Sequence, residues 1–271
     1  MKVNGIEIKG RSVSGYATVV ALPEYGVCFD CGMAIHDAVQ SETVCITHGH
    51  LDHFGDVARH AYIRGMTGMA SSLFVVPLSL TGRVEELMAY WAKVQEARRA
   101  PYRTTTLRAG DSLGIRSHRI IRSFETDHRI PSQGYMLLED RKRLKPEFVG
   151  VDGRELGRMR KEGIRFEDVF EVPLVAFTGD TMASLYDRVK FEVKVLIAEC
   201  TFLNDVTVDE AHKKGHTHIT ELAAKADRFE GVEALVLTHF SKRYGNKDIE
   251  AAIASLPASL RAKTTFLPVG K

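Results

Sequence analysis

The chain has 271 residues, 44% hydrophobic and 27% charged, with 37 basic against 35 acidic side chains. Such a composition suits a globular protein with one large core or two small ones. No apolar run approaches the roughly 18 residues of a transmembrane helix. The formal net charge of +2 leaves no global field, so a polyanion would have to be met by a local basic patch. The opening residues carry an acid and no apolar core, so no secretory or transit leader is expected and the protein reads as cytoplasmic.

Short apolar runs broken by turns predict strands at residues 3–8, 16–22 and 26–30. The last ends in Cys28-Phe29-Asp30-Cys31, a C-x-x-C spacing without the second pair of a zinc ribbon, and it reads as structural. Cys45 and Cys200 fall in apolar strands, and four reduced thiols fit a cytosolic chain. The buried-strand run Val44-Cys45-Ile46-Thr47 leads directly into His48-Gly49-His50-Leu51-Asp52-His53. A helix is predicted at 56–66, a strand at 73–77, and a helix at 81–98, where Val84, Leu87, Met88, Trp91 and Val94 recur at helical spacing. Strands continue from 103 to 139, with a turn at Gly110-Asp111.

Residues 141–171 differ from their surroundings. They open on Arg141-Lys142-Arg143-Leu144-Lys145-Pro146, carry a charged amphipathic helix near 152–162, and contain little that could form a core. They read as an insertion packed on one side. Beyond it, strands at 174–178, 193–199, 234–238 and 264–268 alternate with helices at 184–191, 220–229 and 246–255. Strands early and α/β units late predict two sheets face to face with helices outside, an αββα sandwich in one domain spanning 1–271.

Three imidazoles and a carboxylate within six residues, just past a buried strand, are the donor types that suit zinc. On an extended segment His48 and His50 share a side, whereas the adjacent Asp52 and His53 diverge and can reach a second ion. This segment resembles the H-x-H-x-D-H signature of the metallo-β-lactamase superfamily. That superfamily draws further ligands from distant segments, and candidates stand at the ends of apolar strands: Asp127-His128, Asp180 and His239. Singly, they would read as a surface-loop histidine, a turn residue before a helix and a helix-start histidine.

The resemblance narrows with Thr126-Asp127-His128-Arg129-Ile130-Pro131-Ser132-Gln133-Gly134-Tyr135, Glu199-Cys200-Thr201-Phe202-Leu203, His216-Thr217-His218-Ile219-Thr220-Glu221 and Leu237-Thr238-His239-Phe240-Ser241-Lys242-Arg243-Tyr244. In order and over almost the whole chain, these are similar to ribonuclease Z, the tRNA 3′-processing endonuclease, and to its short plant-type branch in particular. The glycine- and proline-rich arm of the long bacterial forms has no counterpart except the insertion at about 141–171.

The resemblance implies two zinc ions per chain, one held by His48, His50 and His128, the other by Asp52, His53 and His239, with Asp180 bridging. It implies an endoribonuclease that removes the 3′ trailer from precursor tRNA. Asp52 would orient and deprotonate the attacking water, His218 would protonate the leaving oxygen, and Glu199 would orient His218. Arg141, Lys142, Arg143 and Lys145 are the candidates for a remote phosphate grip, and Arg243 for a phosphate near the metals. A homodimer is implied by the resemblance alone. The alternative reading is a hydrolase or phosphodiesterase of the same fold acting on a small molecule.

Overall fold

The structure is a computed structural model that describes residues 1–269. The first half runs β1 (Lys2–Val3), β2 (Ile6–Glu7), β3 (Lys9–Ser14), β4 (Ala17–Leu22), β5 (Val27–Phe29), α1 (His36–Gln40), β6 (Thr43–Cys45), α2 (Leu51–Phe54), α3 (Val57–Met66), β7 (Ser72–Pro77), α4 (Arg83–Val94) and β8 (Tyr102–Leu107). The second runs β9 (Ser112–Ile115), β10 (Arg119–Glu125), β11 (Gln133–Leu144), α5 (Gly153–Lys161), β12 (Glu167–Phe177), α6 (Leu185–Arg188), β13 (Val193–Glu199), α7 (Val208–Lys213), α8 (Ile219–Ala224), β14 (Val232–Thr238), β15 (Phe240–Ser241), α9 (Asn246–Ala254), α10 (Ala258–Arg261) and β16 (Thr264–Phe266).

Two seven-stranded sheets result, ordered β15-β3-β4-β5-β6-β7-β8 and β16-β14-β13-β12-β11-β10-β9. Between them lies one apolar layer that includes Val20, Phe29, Cys45, Val75, Leu137, Phe177 and Ile197. A second layer packs α1, α3 and α4 on the first sheet, and a third packs α6, α8, α9 and α10 on the second. This is the αββα sandwich. Strands covered on both faces need no polar alternation, which is why β4 and β5 are buried at every residue. The strands β5 to β8 run parallel, as do β12, β13, β14 and β16. The loops after β6, β12, β13 and β14 therefore open on the same edge of the sandwich, where α/β architectures bind ligands.

The structure departs from the sequence expectation in several places. The strand at 3–8 is a small hairpin, because Asn4 and Gly5 both take left-handed backbone (φ 45° and 83°). The strand β3 and the helices α1 and α7 are additional, and the helix at 184–191 shrinks to α6. The expected insertion at about 141–171 belongs to a larger element. It is the outer part of one long hairpin, β11 with β12, which leaves the sandwich at a register shift beside Leu137 and Leu138. The strand passes from buried at Leu138 to exposed at Arg141 within three residues. The tip carries α5, N-capped by Asp152, whose side chain accepts the Arg154 N–H at 2.8 Å.

Candidate metal centre

Seven side chains from four loops converge on the open edge of the sandwich. His48 and His50 follow β6, Asp52 and His53 lie in α2, and His128 follows β10. Asp180 follows β12, and His239 follows β14 with a left-handed backbone (φ 62°). A non-glycine residue held there marks a position that the surrounding structure over-determines.

They fall into two groups around one shared carboxylate. In the first, ligand atoms of His48, His50, His128 and Asp180 lie within 4.8 Å of one another. Asp180 Oδ2 faces this group, 3.6 Å from His48 Nε2 and 3.9 Å from His128 Nε2. In the second, Asp52, His53 and His239 meet the same criterion. Asp180 Oδ1 faces them, 3.2 Å from His53 Nε2 and 3.3 Å from His239 Nε2.

The surrounding shell fixes which ring nitrogen points inward. Thr47 Oγ1 gives its hydrogen to the Asp30 carboxylate at 3.0 Å, so it can only accept from His48 Nδ1–H at 2.9 Å. Thr201 Oγ1 donates to Glu199 Oε2 at 2.8 Å and accepts from His239 Nδ1–H at 2.9 Å. His53 Nδ1–H donates to Asp30 Oδ2 at 2.7 Å, and His128 Nδ1–H to the Gly215 carbonyl at 2.8 Å. Four histidines thus present an Nε2 lone pair to the centre, the outer-shell pattern of metal-ligating imidazole.

These donors fit a cation. Inward lone pairs crowd together, with His48 Nε2 at 3.0 Å from His50 Nδ1 and His53 Nε2 at 3.2 Å from His239 Nε2. Asp180 is 2% exposed, yet its Oδ1 has no hydrogen-bond partner. A buried carboxylate oxygen without a donor, facing imidazole nitrogens, is stabilised by a positive charge between them. The two groups sharing Asp180 offer the nitrogen and oxygen donors that suit a divalent transition metal. Electrostatics favour the neutral imidazole at His48, His50 and His128, whereas at His53 burial is outweighed by the Asp180 and Asp30 carboxylates, which raise its pKa well above the ordinary value. Burial pushes the His48 imidazole well below its usual range, and the charge of His53 adds to this. Burial likewise depresses His50 and His128. Burial opposes ionisation of Asp180, but His239 and His53 outweigh it and hold the carboxylate well below its usual range.

Beside the cluster stands His216 rather than His218. The His216 ring centroid lies 5.2 Å from that of His128 and 5.3 Å from that of His239. Its Nδ1 is 3.0 Å from Glu199 Oε1. Burial disfavours the imidazolium, but the Glu199 charge and hydrogen bond raise its pKa above the ordinary value. The sequence reading assigned the acid to His218 and gave His216 no role. In the structure both His218 nitrogens are engaged elsewhere, Nδ1 with Thr220 (Oγ1 at 2.7 Å, N–H at 3.2 Å) and Nε2 with the Val206 carbonyl at 3.2 Å. His218 is the N-cap of α8 in a capping box with Glu221. Glu199 orients His216, not His218, and also takes the N–H groups of Thr181, Thr201 and Thr217. Asp30, Thr47 and Thr201 were passed over as well. The pattern His218-Ile219-Thr220-Glu221, with a carboxylate three residues after the cap, would have assigned His218 to the helix.

The basic residues lie apart. Arg141 is 2.8 Å from Glu139, Lys142 is 3.7 Å from Glu167, and Arg143 stacks on Phe170 at 5.4 Å. Lys145 lines a pocket at the hairpin tip with Arg160 and Phe166. From Phe177 at the cluster to Glu167 at the tip, β12 spans ten steps, or ~33 Å. Arg243 lies near the cluster but is bound by Asp205 at 2.9 Å.

No protein-family model matches the chain. It is 34% identical to tRNase Z TRZ1 of Arabidopsis thaliana over its whole length and 98% of that protein. It is 28% identical to a ribonuclease Z of Streptomyces coelicolor, with 80% of this chain and 74% of that one aligned. Among solved structures, the short-form human tRNase Z superposes with a TM-score of 0.64 at 19% identity, over 97% of this chain and 96% of that one. The metallo-β-lactamase fold protein YhfI of Bacillus subtilis gives 0.64 at 15%, over 98% of each chain. At those identities the structures speak to the fold.

Proposed function

The chain belongs to the ribonuclease Z family, and from that premise we propose that it is a zinc-dependent endoribonuclease that removes the 3′ trailer from precursor tRNA. The observation that carries the reading is the pair of ligand groups sharing Asp180, with the Glu199–His216 pair at 3.0 Å beside them. Such a site suits hydrolysis of a phosphodiester.

His48, His50, His128 and Asp180 would hold one ion, and Asp52, His53, His239 and Asp180 the other. When bound, such ions lower the pKa of water toward neutrality and neutralise charge on the phosphate. Asp52 Oδ2 is held by the Gly15 N–H at 2.7 Å and is 3.4 Å from His239 Nε2. Fixed there, it orients the attacking water and accepts its proton. The water oxygen bonds to phosphorus as the bond to the leaving oxygen breaks. His216, propped through Nδ1 by Glu199, supplies the proton that the leaving oxygen takes up.

The hairpin tip, ~33 Å from the cluster along β12, would grip the tRNA body through Lys145, Arg143 and their neighbours. A homodimer is supported by an exposed apolar face on α3 and α4, where Met66, Tyr90 and Val94 are 77%, 62% and 53% exposed. A cytoplasmic location is supported by four buried free cysteines. Among the described residues, no helix is long and apolar enough to cross a membrane.

The test is direct. Metal-loaded protein is incubated with precursor tRNA carrying a 3′ trailer, and the products are mapped. A single cut at the 3′ end that chelation abolishes supports the reading. Hydrolysis of small phosphodiesters with no cut in the precursor would favour the small-molecule alternative.

A further inference from the structure

A groove of about 720 Å³ opens beside the metal cluster, between the β3–β4 turn, β15 and the start of α9. Its walls include Arg11, Tyr16, Lys242, Arg243, Tyr244 and Lys247. The groove is continuous with the cluster through the backbone. Gly15, in the turn, donates its N–H to Asp52 Oδ2 at 2.7 Å. His239 directly precedes β15, whose Phe240 and Ser241 pair with Val13 and Ser14 of β3.

Its walls carry more positive than negative charge, Asp248 being the one carboxylate among these lining residues. Among the described residues, neither Arg11, Lys242 nor Lys247 has a carboxylate within 4.0 Å, and Arg11 Nε is a buried donor with no hydrogen-bond partner. The Asp248 carboxylate is engaged by the Gly245 N–H at 2.7 Å, and Arg243 is tied to Asp205. Lys242 touches only a neutral phenol, the Tyr16 hydroxyl, with its ammonium 4.8 Å from the centre of that ring. The hairpin tip differs, since Arg141, Lys142, Arg158 and Arg160 are all paired with glutamates there. Free positive charge in a concave wall raises the local potential for a polyanion.

Tyr16 adds the second feature. It is 56% exposed at the mouth of the groove, with the Lys242 ammonium over one face of its ring. Cations that track a backbone plus an exposed aromatic ring are the combination that binds single strands without sequence preference. The volume is that of a small ligand site, enough for a short stretch of single strand. The Gly15 bond to Asp52 and the step from His239 into β15 place the groove next to these two residues.

We propose that the groove holds the first nucleotides of the 3′ trailer, with Tyr16 as a stacking platform and Arg11, Lys242 and Lys247 as phosphate contacts. The proposal rests on the precursor-tRNA reading. An exposed ring such as Tyr16 can stack only on an unpaired base, which favours the single-stranded side of the cut over the duplex acceptor stem.

The test uses the metal-loaded full chain and precursors with trailers of about one, three and eight nucleotides. Each rate is divided by the same variant's hydrolysis of bis(p-nitrophenyl) phosphate, which corrects for damage to the metal site. For the unsubstituted protein, kcat/KM rises from the shortest to the middle trailer and then levels. Tyr16→Ala flattens that rise, with about a tenfold loss on the longer trailers, and Tyr16→Phe restores it. Lys242→Gln with Lys247→Gln, both exposed, lowers the log–log salt slope by about 1.4, or about 0.7 per lost single-strand contact. A rate independent of trailer length, or an equal loss on all three trailers, overturns the trailer assignment while leaving the nuclease reading intact. No cut at any trailer length overturns the nuclease reading itself, and the groove assignment with it.

Discussion

Two histidines, two residues apart, should respond oppositely to truncation. His216→Ala removes the imidazole held by Glu199 Oε1 beside the metal cluster, while Thr201 still links Glu199 Oε2 to His239. Glu199 Oε1 keeps the N–H groups of Thr181 at 3.1 Å and Thr217 at 3.2 Å, so the carboxylate stays satisfied and the fold should hold. The seven metal-facing side chains are untouched. Cleavage of precursor tRNA should fall by roughly 10²–10⁴-fold, the range of a lost general acid, with metal content and melting temperature near their original values. His218→Ala removes a helix cap. It frees the Thr220 N–H and the Val206 carbonyl at a site 3% exposed. That loss is worth about 1 kcal/mol, or a fall in melting temperature of about 2–4 °C, with turnover per folded molecule preserved. Single-turnover cleavage, elemental analysis and thermal melts on both variants decide the matter. The reasoning fails if His218→Ala abolishes cleavage at an unchanged melting temperature, or if His216→Ala cuts normally. Loss of metal from His216→Ala would instead make His216 a ligand, since it also lies within ligand range of Asp180 and His239.

The remaining expectations concern the metals, the core and the hairpin. Asp180→Asn should lower the occupancy of both ions, because its two oxygens face different groups; two ions per chain by elemental analysis would exclude a bridge. Asp30→Asn should weaken metal affinity about 10–100-fold through His53, measured by competition with a chelator, without touching a metal itself. His60 is buried between Ser72 Oγ and the Ala38 carbonyl, and burial lowers its pKa to about 4. The unfolded chain therefore takes up a proton below about 6.5 that the fold refuses until about 4. Stability is fully present above that window and falls by up to ~3 kcal/mol as pH drops through it. Urea midpoints should decline less steeply over this range in His60→Gln than in the unsubstituted protein, and parallel declines would refute the assignment. Replacing Arg141, Lys142, Arg143 and Lys145 with Gln should raise KM for precursor tRNA with kcat near its original value. Because Glu139 and Glu167 already hold Arg141 and Lys142, the salt slope should change by about 1–2 rather than 4.

What was legible in the sequence was whatever depends on local order. Strands buried on both faces are continuous apolar runs, and reactive loops follow their ends. His48, His50, Asp52, His53, His128, Asp180 and His239 could therefore each be named from a run and its terminus. Their partition around Asp180 came from resemblance, and only the coordinates show its Oδ1 and Oδ2 facing different groups. The outer shell was illegible for a different reason. Asp30 acts on His53 across 23 residues, and Thr201 on His239 across 38, so no spacing within one segment reveals either contact.

The placement of His218 is more instructive, because the information that ties it to the helix was local. His216-Thr217-His218 offers two imidazoles, and only one can face the cluster while the other starts a helix. Glu221, three residues beyond His218, accepts the His218 N–H at 3.0 Å and completes the cap. A histidine whose backbone and ring both serve a helix terminus has neither nitrogen left for substrate. The helix therefore selects the other histidine, and Glu199, fixed by the Thr181, Thr201 and Thr217 N–H groups, stands where it can hold only that one. The same logic separates the two sets of cations. Counting Arg and Lys along 141–145 finds the densest run in the chain, but charge available to RNA is what remains after pairing. By that measure the run keeps Arg143 and Lys145, and Arg11, Lys242 and Lys247, brought together by β3, β15 and α9, form a second set that no reading of linear density could have found.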